Sequence, residues 1–134
     1  MEEGVNSPPI NPEEGKAAAS YTYMRRVHVR DGRAYCVIGL YLDEEIFRRS
    51  PEEFRAKTVI PILNRMADVD IASAHQVLTI GTADMEIAKK LEIPISSPVA
   101  EVRRIFKDKN DTVIYLANVV YRGDAIRIEM DLKP

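Results

Sequence analysis

Two runs rich in aromatic and β-branched residues, Tyr21 to Arg30 and Arg33 to Leu42, are separated only by Asp31-Gly32. An Asp-Gly pair readily adopts the left-handed backbone of a two-residue turn, so the spacing predicts two antiparallel strands joined as a hairpin. Register is left open between two forms. A two-residue loop pairs Arg30 with Arg33; a three-residue loop with Gly32 left-handed pairs Val29 with Arg33, and in that form Arg26, His28, Cys36 and Ile38 share a face.

Downstream, Ser50-Pro51-Glu52-Glu53 reads as a helix start, with Ser at the cap, Pro at the first helical position and Glu53 able to return to the cap N–H. Pro61 cannot sit inside a continuous helix. A second short helix from Val59 to about Met66, capped by Thr58, places that proline in a first turn. Ile71 to Ile80 reads as a strand, and Gly81 with Thr82 as cap opens a helix whose Ala83, Ile87, Ala88 and Leu91 share one side. Pro98 to Lys107 and Thr112 to Arg122 form a second hairpin around Asp108 to Asp111. The latter strand is apolar on both faces, as a mid-sheet strand would be. Asp124 to Leu132 alternates Ile126, Ile128, Met130 and Leu132 with Arg127, Glu129 and Asp131, which predicts a final half-wet strand. The order ββ-αα-β-α-βββ implies an α+β domain on a mostly antiparallel sheet of about six strands with short helices.

Residues 1–19 carry Pro8, Pro9 and Pro12, two Glu-Glu pairs and no periodic apolar face, and are expected to be a linker or mobile arm preceding a domain over 20–134. With 134 residues, 46% of them hydrophobic, the chain holds one core and not two. The 19 Lys and Arg nearly balance 21 Asp and Glu, so a net charge of -2 gives no field for nucleic acid or an anionic membrane. A single cysteine, Cys36, excludes an intrachain disulfide and a multi-thiolate zinc site, which fits a reducing, cytoplasmic setting. No apolar run reaches the roughly 20 residues of a membrane-spanning helix.

His28 and His75 lie on different predicted strands, and no spacing resembles a metal-ligand set. Phosphate loops and serine elbows are absent, so no cofactor is expected. Cys36 within an apolar strand reads as a small core residue before it reads as a nucleophile. Arg104 shares the apolar side of its strand with Val102 and Phe106, and a charge there needs a partner. Two readings stand equally: a structural ion pair, or an arginine that receives an anionic ligand. Thr58 is an ordinary N-cap or the start of an anion site. Arg26, His28, Thr58 and Arg104 together allow one polar pocket.

The stretches Ala74-His75-Gln76-Val77, Ala83-Asp84-Met85-Glu86-Ile87-Ala88-Lys89-Lys90-Leu91-Glu92-Ile93-Pro94, Val102-Arg103-Arg104, Val113-Ile114-Tyr115 and Tyr121-Arg122-Gly123-Asp124 resemble the UTRA domain, the effector-binding half of GntR-class, HutC-type transcriptional regulators. The resemblance runs from about Tyr21 to Leu132. It implies a chorismate-lyase-like fold, homodimerisation, a small-molecule effector, and contact with DNA only through a winged helix-turn-helix that is absent from this chain. That half is either excised or replaced by another protein.

In similar domains that bind amino-sugar phosphates, an Arg-x-Arg lies on the first strand, a Glu on the second and a Ser-x-Tyr at a helix start. The resemblance puts these at Arg26-Val27-His28, Ile38 and Thr58-Val59-Ile60, with Tyr115 and Tyr121 near the last hairpin. Keeping Arg26 and Thr58 while presenting Ile38 and Ile60 implies a less polar anionic ligand, a small organic acid rather than a sugar phosphate. The alternative on the same fold is a chorismate-lyase-like enzyme acting on a small organic acid, which needs a carboxylic acid in the pocket; a third is a dimerisation module whose pocket has decayed.

Overall fold

A computed structural model describes residues 2–5 and 7–133. Strands β1 (Glu2–Val5), β2 (Lys16–Ala17), β3 (Tyr21–Arg30) and β4 (Arg33–Asp43) come first. Helices α1 (Glu44–Phe47), α2 (Pro51–Ala56) and α3 (Val59–Arg65) follow, then β5 (Ser73–Thr82), α4 (Met85–Leu91), β6 (Pro98–Lys107) and β7 (Thr112–Arg122). The sheet runs β1-β3-β4-β7-β6-β5, with the short β2 added beside β7. Every ladder is antiparallel except β2–β7. The α+β class is as the element order predicts. Among the described residues the sheet has seven strands rather than six, because two short N-terminal strands join and the expected last strand does not.

Both faces of the sheet are used. One carries the largest core, in which Met24, Ile38, Leu40, Tyr115, Ala117 and Val119 meet Phe47 of α1, Phe54 of α2 and Val59, Ile62 and Leu63 of α3. On the other face Ala88 and Leu91 of α4 pack on Val37 and Val99. β7 lies between β4 and β6 and is buried on both sides over residues 113–117, which explains its unbroken apolar run.

The β3–β4 turn settles the open register in an unexpected way. Asp31 and Gly32 both have positive φ, 53° and 74°, and Arg30 faces Arg33 across a two-residue turn. A bulge at Tyr35 then shifts the ladder so that His28 faces Cys36 and Arg26 faces Ile38. The extra residue brings these four to one face despite the tight turn.

Several local expectations are corrected. The Ser50–Glu53 capping box does not form: the Ser50 hydroxyl meets the Glu53 carboxylate at 3.1 Å, and that carboxylate is drawn to Arg65. Helix α4 is capped by Asp84, which accepts from the Ile87 N–H at 2.8 Å, and not by Thr82, which ends β5. After β7 a 3₁₀ turn, Gly123–Ala125, leads residues 126–133 away without any ladder. A period of two marks only a wish to be half-buried; a strand also needs a neighbour with free backbone groups.

Residues 1–19, expected as a linker or mobile arm, are laid along the sheet where described. β1 pairs with β3, and β2 with the start of β7. What holds this arm is tertiary. Glu14 receives Nε and Nη2 of Arg103, each at 2.8 Å, and Ile10 packs against Ile105, Val113 and Leu116. Gly15, at φ 141°, passes so near Lys107 and Asp111 that an added Cβ would lie 2.8–2.9 Å from them.

Candidate functional site

Beneath α3 and the bulged hairpin lies a cavity of about 220 Å³. Its floor is the alternating pocket face of the sheet: Arg26 and His28 from β3, Cys36, Ile38 and Leu40 from β4, Tyr115, Val119 and Tyr121 from β7, and Arg104 from β6. Thr58, Val59, Ile60 and Pro61 at the start of α3 form the other wall. All eight residues singled out in the sequence, Arg26, His28, Ile38, Thr58, Ile60, Arg104, Tyr115 and Tyr121, therefore line one cavity.

Arg104 is half-buried and held in plane. Its Nε donates to Gln76 Oε1 at 2.7 Å and its Nη2 to the Tyr121 hydroxyl at 3.1 Å. Both partners are neutral. No carboxylate lies within ion-pair distance of Arg104 or Arg26 among the described residues, and none is among the residues lining the cavity. Of the two readings of Arg104, the structural ion pair is thus removed.

Arg26 has a second duty. Its Nη1 donates to the Lys57 carbonyl at 2.7 Å and its Nη2 to the Phe54 carbonyl, so it ties down the C-terminal turn of α2. Its Nε is buried without a partner. Burial lowers its pKa, opposed by the neighbouring Tyr115 and Glu3. Because of these two carbonyl bonds, Arg26→Ala would loosen α2 as well as remove a charge from the cavity.

Burial, and then the Arg26 charge, hold the His28 imidazole below its ordinary pKa. The Tyr35 hydroxyl stands 3.5 Å from its Nδ1. Cys36 faces the cavity, but burial pushes its thiol up to about 11, so it is a protonated core residue at neutral pH. The Tyr115 phenol is pushed up to about 12, again chiefly by burial. Thr58 is exposed at the rim and its side chain makes no cap hydrogen bond.

Two side chains at the cavity escape a reading of the sequence. Tyr35 reaches the cavity only because of the bulge. Gln76 meets Arg104 because β5 and β6 pair these residues directly, a register that no local pattern encodes. Among the described residues, no cluster of three or more His, Cys, Asp or Glu could hold a metal ion, and no helix is long and apolar enough to cross a membrane.

A largely antiparallel sheet with short helices closing an arginine-lined cavity makes this an α+β domain with an internal pocket, and comparison with known proteins gives it a family. The UTRA domain model matches residues 15–127, so the chain belongs to the UTRA domain family. Among solved structures, a GntR-family transcriptional regulator from Enterococcus faecalis V583 matches with a TM-score of 0.78 at 16% identity, over 98% of this chain and 97% of that one. A possible transcriptional regulator, YydK from Bacillus subtilis subsp. subtilis str. 168, matches with 0.78 at 17%, over 99% of this chain and 60% of that one. The effector domain of PhnF from Mycobacterium smegmatis matches with 0.72 at 18%, over 87% and 72%. At these identities the likeness is one of fold, the chorismate-lyase-like arrangement. A comparison with curated protein sequences finds no match.

Proposed function

We propose that this chain is the effector-binding and dimerisation domain of a bacterial GntR/HutC-type transcriptional regulator, and that its effector is a small organic anion bound between Arg104 and Arg26. The observation that carries this reading is the imbalance of charge in the cavity. Two guanidinium groups face an apolar wall of Ile38, Leu40, Val59 and Ile60 with no carboxylate to answer them. A charge withdrawn from water is costly unless paired, and an incoming carboxylate or phosphate supplies the pair through planar, bidentate hydrogen bonds. The buried, unpartnered Nε of Arg26 is a further donor. A cavity of about 220 Å³ with isoleucine walls favours a compact, partly apolar acid over a sugar phosphate.

The lack of a lining carboxylate also speaks against the lyase alternative, which has no acid here to protonate a leaving group. DNA contact belongs to a winged helix-turn-helix outside this chain, and the reading places the protein in the cytoplasm.

Calorimetric titration of the intact chain with small carboxylic acids and their uncharged amides tests the proposal. The acid is expected to bind and its amide to bind at least about 10-fold more weakly, the loss of one charge-assisted contact. Equal binding of acid and amide would sink it.

His28 adds a pH dependence with a definite sign. In the free protein its pKa is depressed, so protonation costs more folded than unfolded, and this group removes stability as pH falls below the ordinary imidazole value. An anion bound beside it favours the imidazolium. Affinity is therefore expected to rise as pH is lowered through the imidazole range, with proton uptake visible as a buffer-dependent binding enthalpy. His28→Gln should abolish both; a pH-independent affinity in the parent chain would show that His28 does not face the anion.

A further inference from the structure

Among the described residues no strand pairs with the outer edge of β5. Its ten residues, Ser73–Thr82, pair with β6 on one side without a bulge, and on the other side no strand follows. The segment contains no Lys, Arg, Asp, Glu or Pro, the residues by which natural edge strands ward off a further strand. Val77 and Ile80 stand 48% and 69% exposed. An edge this long and this unguarded is a template for another strand.

The same chain carries a segment of matching pattern that joins no ladder among the described residues. Ile126 is extended, at φ -123° and ψ 136°, and packs against the core beneath the cavity. Beyond it the two-residue alternation continues in no ladder, with Ile128, Met130 and Leu132 exposed by 60%, 73% and 82%. Pairing with another strand would take these apolar side chains out of water. Donor and acceptor are both neutral enough to meet: β5 has only His75 as a titratable group, and residues 126–133 balance Arg127 and Lys133 against Glu129 and Asp131.

We propose that two copies of this chain exchange these segments, residues 126–133 of each adding as a strand to the outer edge of β5 in the other. The proposal rests on the homodimer in the function proposed above and specifies its interface. A reciprocal exchange is self-complementary and closed, so both bare edges and both free tails are used up in one two-fold dimer. It also accounts for the half-wet alternation of the tail, which its own sheet does not use.

The test is sedimentation of the intact chain, of a chain ending at Ala125, and of the full-length Ile128→Lys/Met130→Lys variant, which keeps the tail backbone should truncation disturb folding. The intact chain is expected to be a dimer and both variants monomers with unchanged circular dichroism, self-association falling by more than about 100-fold. A synthetic peptide of residues 124–133 should bind the truncated chain one to one and slow hydrogen exchange within 73–82. A dimer that persists in both variants would overturn the exchange while leaving the homodimer intact through another face. An intact chain that is monomeric, with residues 126–133 protected from exchange, would place the tail on its own edge and overturn both. Binding of a small acid by the intact chain is read separately, so the ligand proposal stands or falls on its own experiment.

Discussion

Phe54→Ala is expected to lower the free energy of unfolding by about 3–5 kcal/mol, the range for deleting a fully buried phenylalanine. Phe54 is 0% exposed and is the buried residue of α2, a helix of six residues. So short a helix cannot hold itself in water and depends on its anchor. The ring stacks on Phe47 of α1, with centroids 6.1 Å apart and planes at 23°, and its backbone carbonyl accepts from Arg26. Removing the ring therefore leaves a cavity between α1, α2 and the sheet and releases the turn that positions Arg26. A domain of ordinary stability has only about 5–15 kcal/mol to lose. Urea denaturation should show a lower midpoint with an unchanged slope. A loss under about 1 kcal/mol would mean that α2 is held from elsewhere, for instance by the Glu3–Arg55 pair across β1.

Arg104→Ala is expected to weaken binding of a small organic acid by roughly 1.5–3 kcal/mol, or about 10–150-fold, with little change in stability. The reason is the neutrality of what holds Arg104. Gln76 and Tyr121 orient the guanidinium but cancel none of its charge, so its removal costs the fold no ion pair. Arg104→Lys should recover only part of the affinity, since an ammonium keeps the charge but loses the planar pair of donors. Gln76→Ala should cost less than Arg104→Ala, because it frees the orientation and leaves the charge. Calorimetric titration of the three variants with one acid ligand checks the order; an Arg104→Ala chain that binds as tightly as the parent would remove Arg104 from the site. Arg26 is a poorer probe, since its bonds to the Phe54 and Lys57 carbonyls mix ligand affinity with stability.

The four long sheet-forming runs that carry the cavity floor are legible in local residue pattern. β3, β6 and β7 match their predicted bounds and β4 exceeds its own by one residue, because Asp31-Gly32 and the residues 108–111 are local turn signals and apolar alternation is a local pattern. Thr58 and Pro61 likewise fixed where α3 begins. A period of two puts Arg26 with His28 on β3 and Arg104 on the apolar side of β6, and one of the two hairpin registers adds Ile38 to the first pair, while Ile60, Tyr115 and Tyr121 came from the family resemblance. The rest was set by contacts between residues distant in the chain. The Tyr35 bulge puts His28 opposite Cys36 even though the turn alone would set another register. The pairing of β5 with β6 brings Gln76 to Arg104, two residues 28 positions apart. The described part of the N-terminal arm, which has no apolar period, is held by Glu14 on Arg103 and Ile10 on a distant core, whereas residues 126–133, which have one, find no partner in their own sheet. Local sequence sets what each segment can be; whether it becomes a strand depends on which backbone groups elsewhere remain free to receive it.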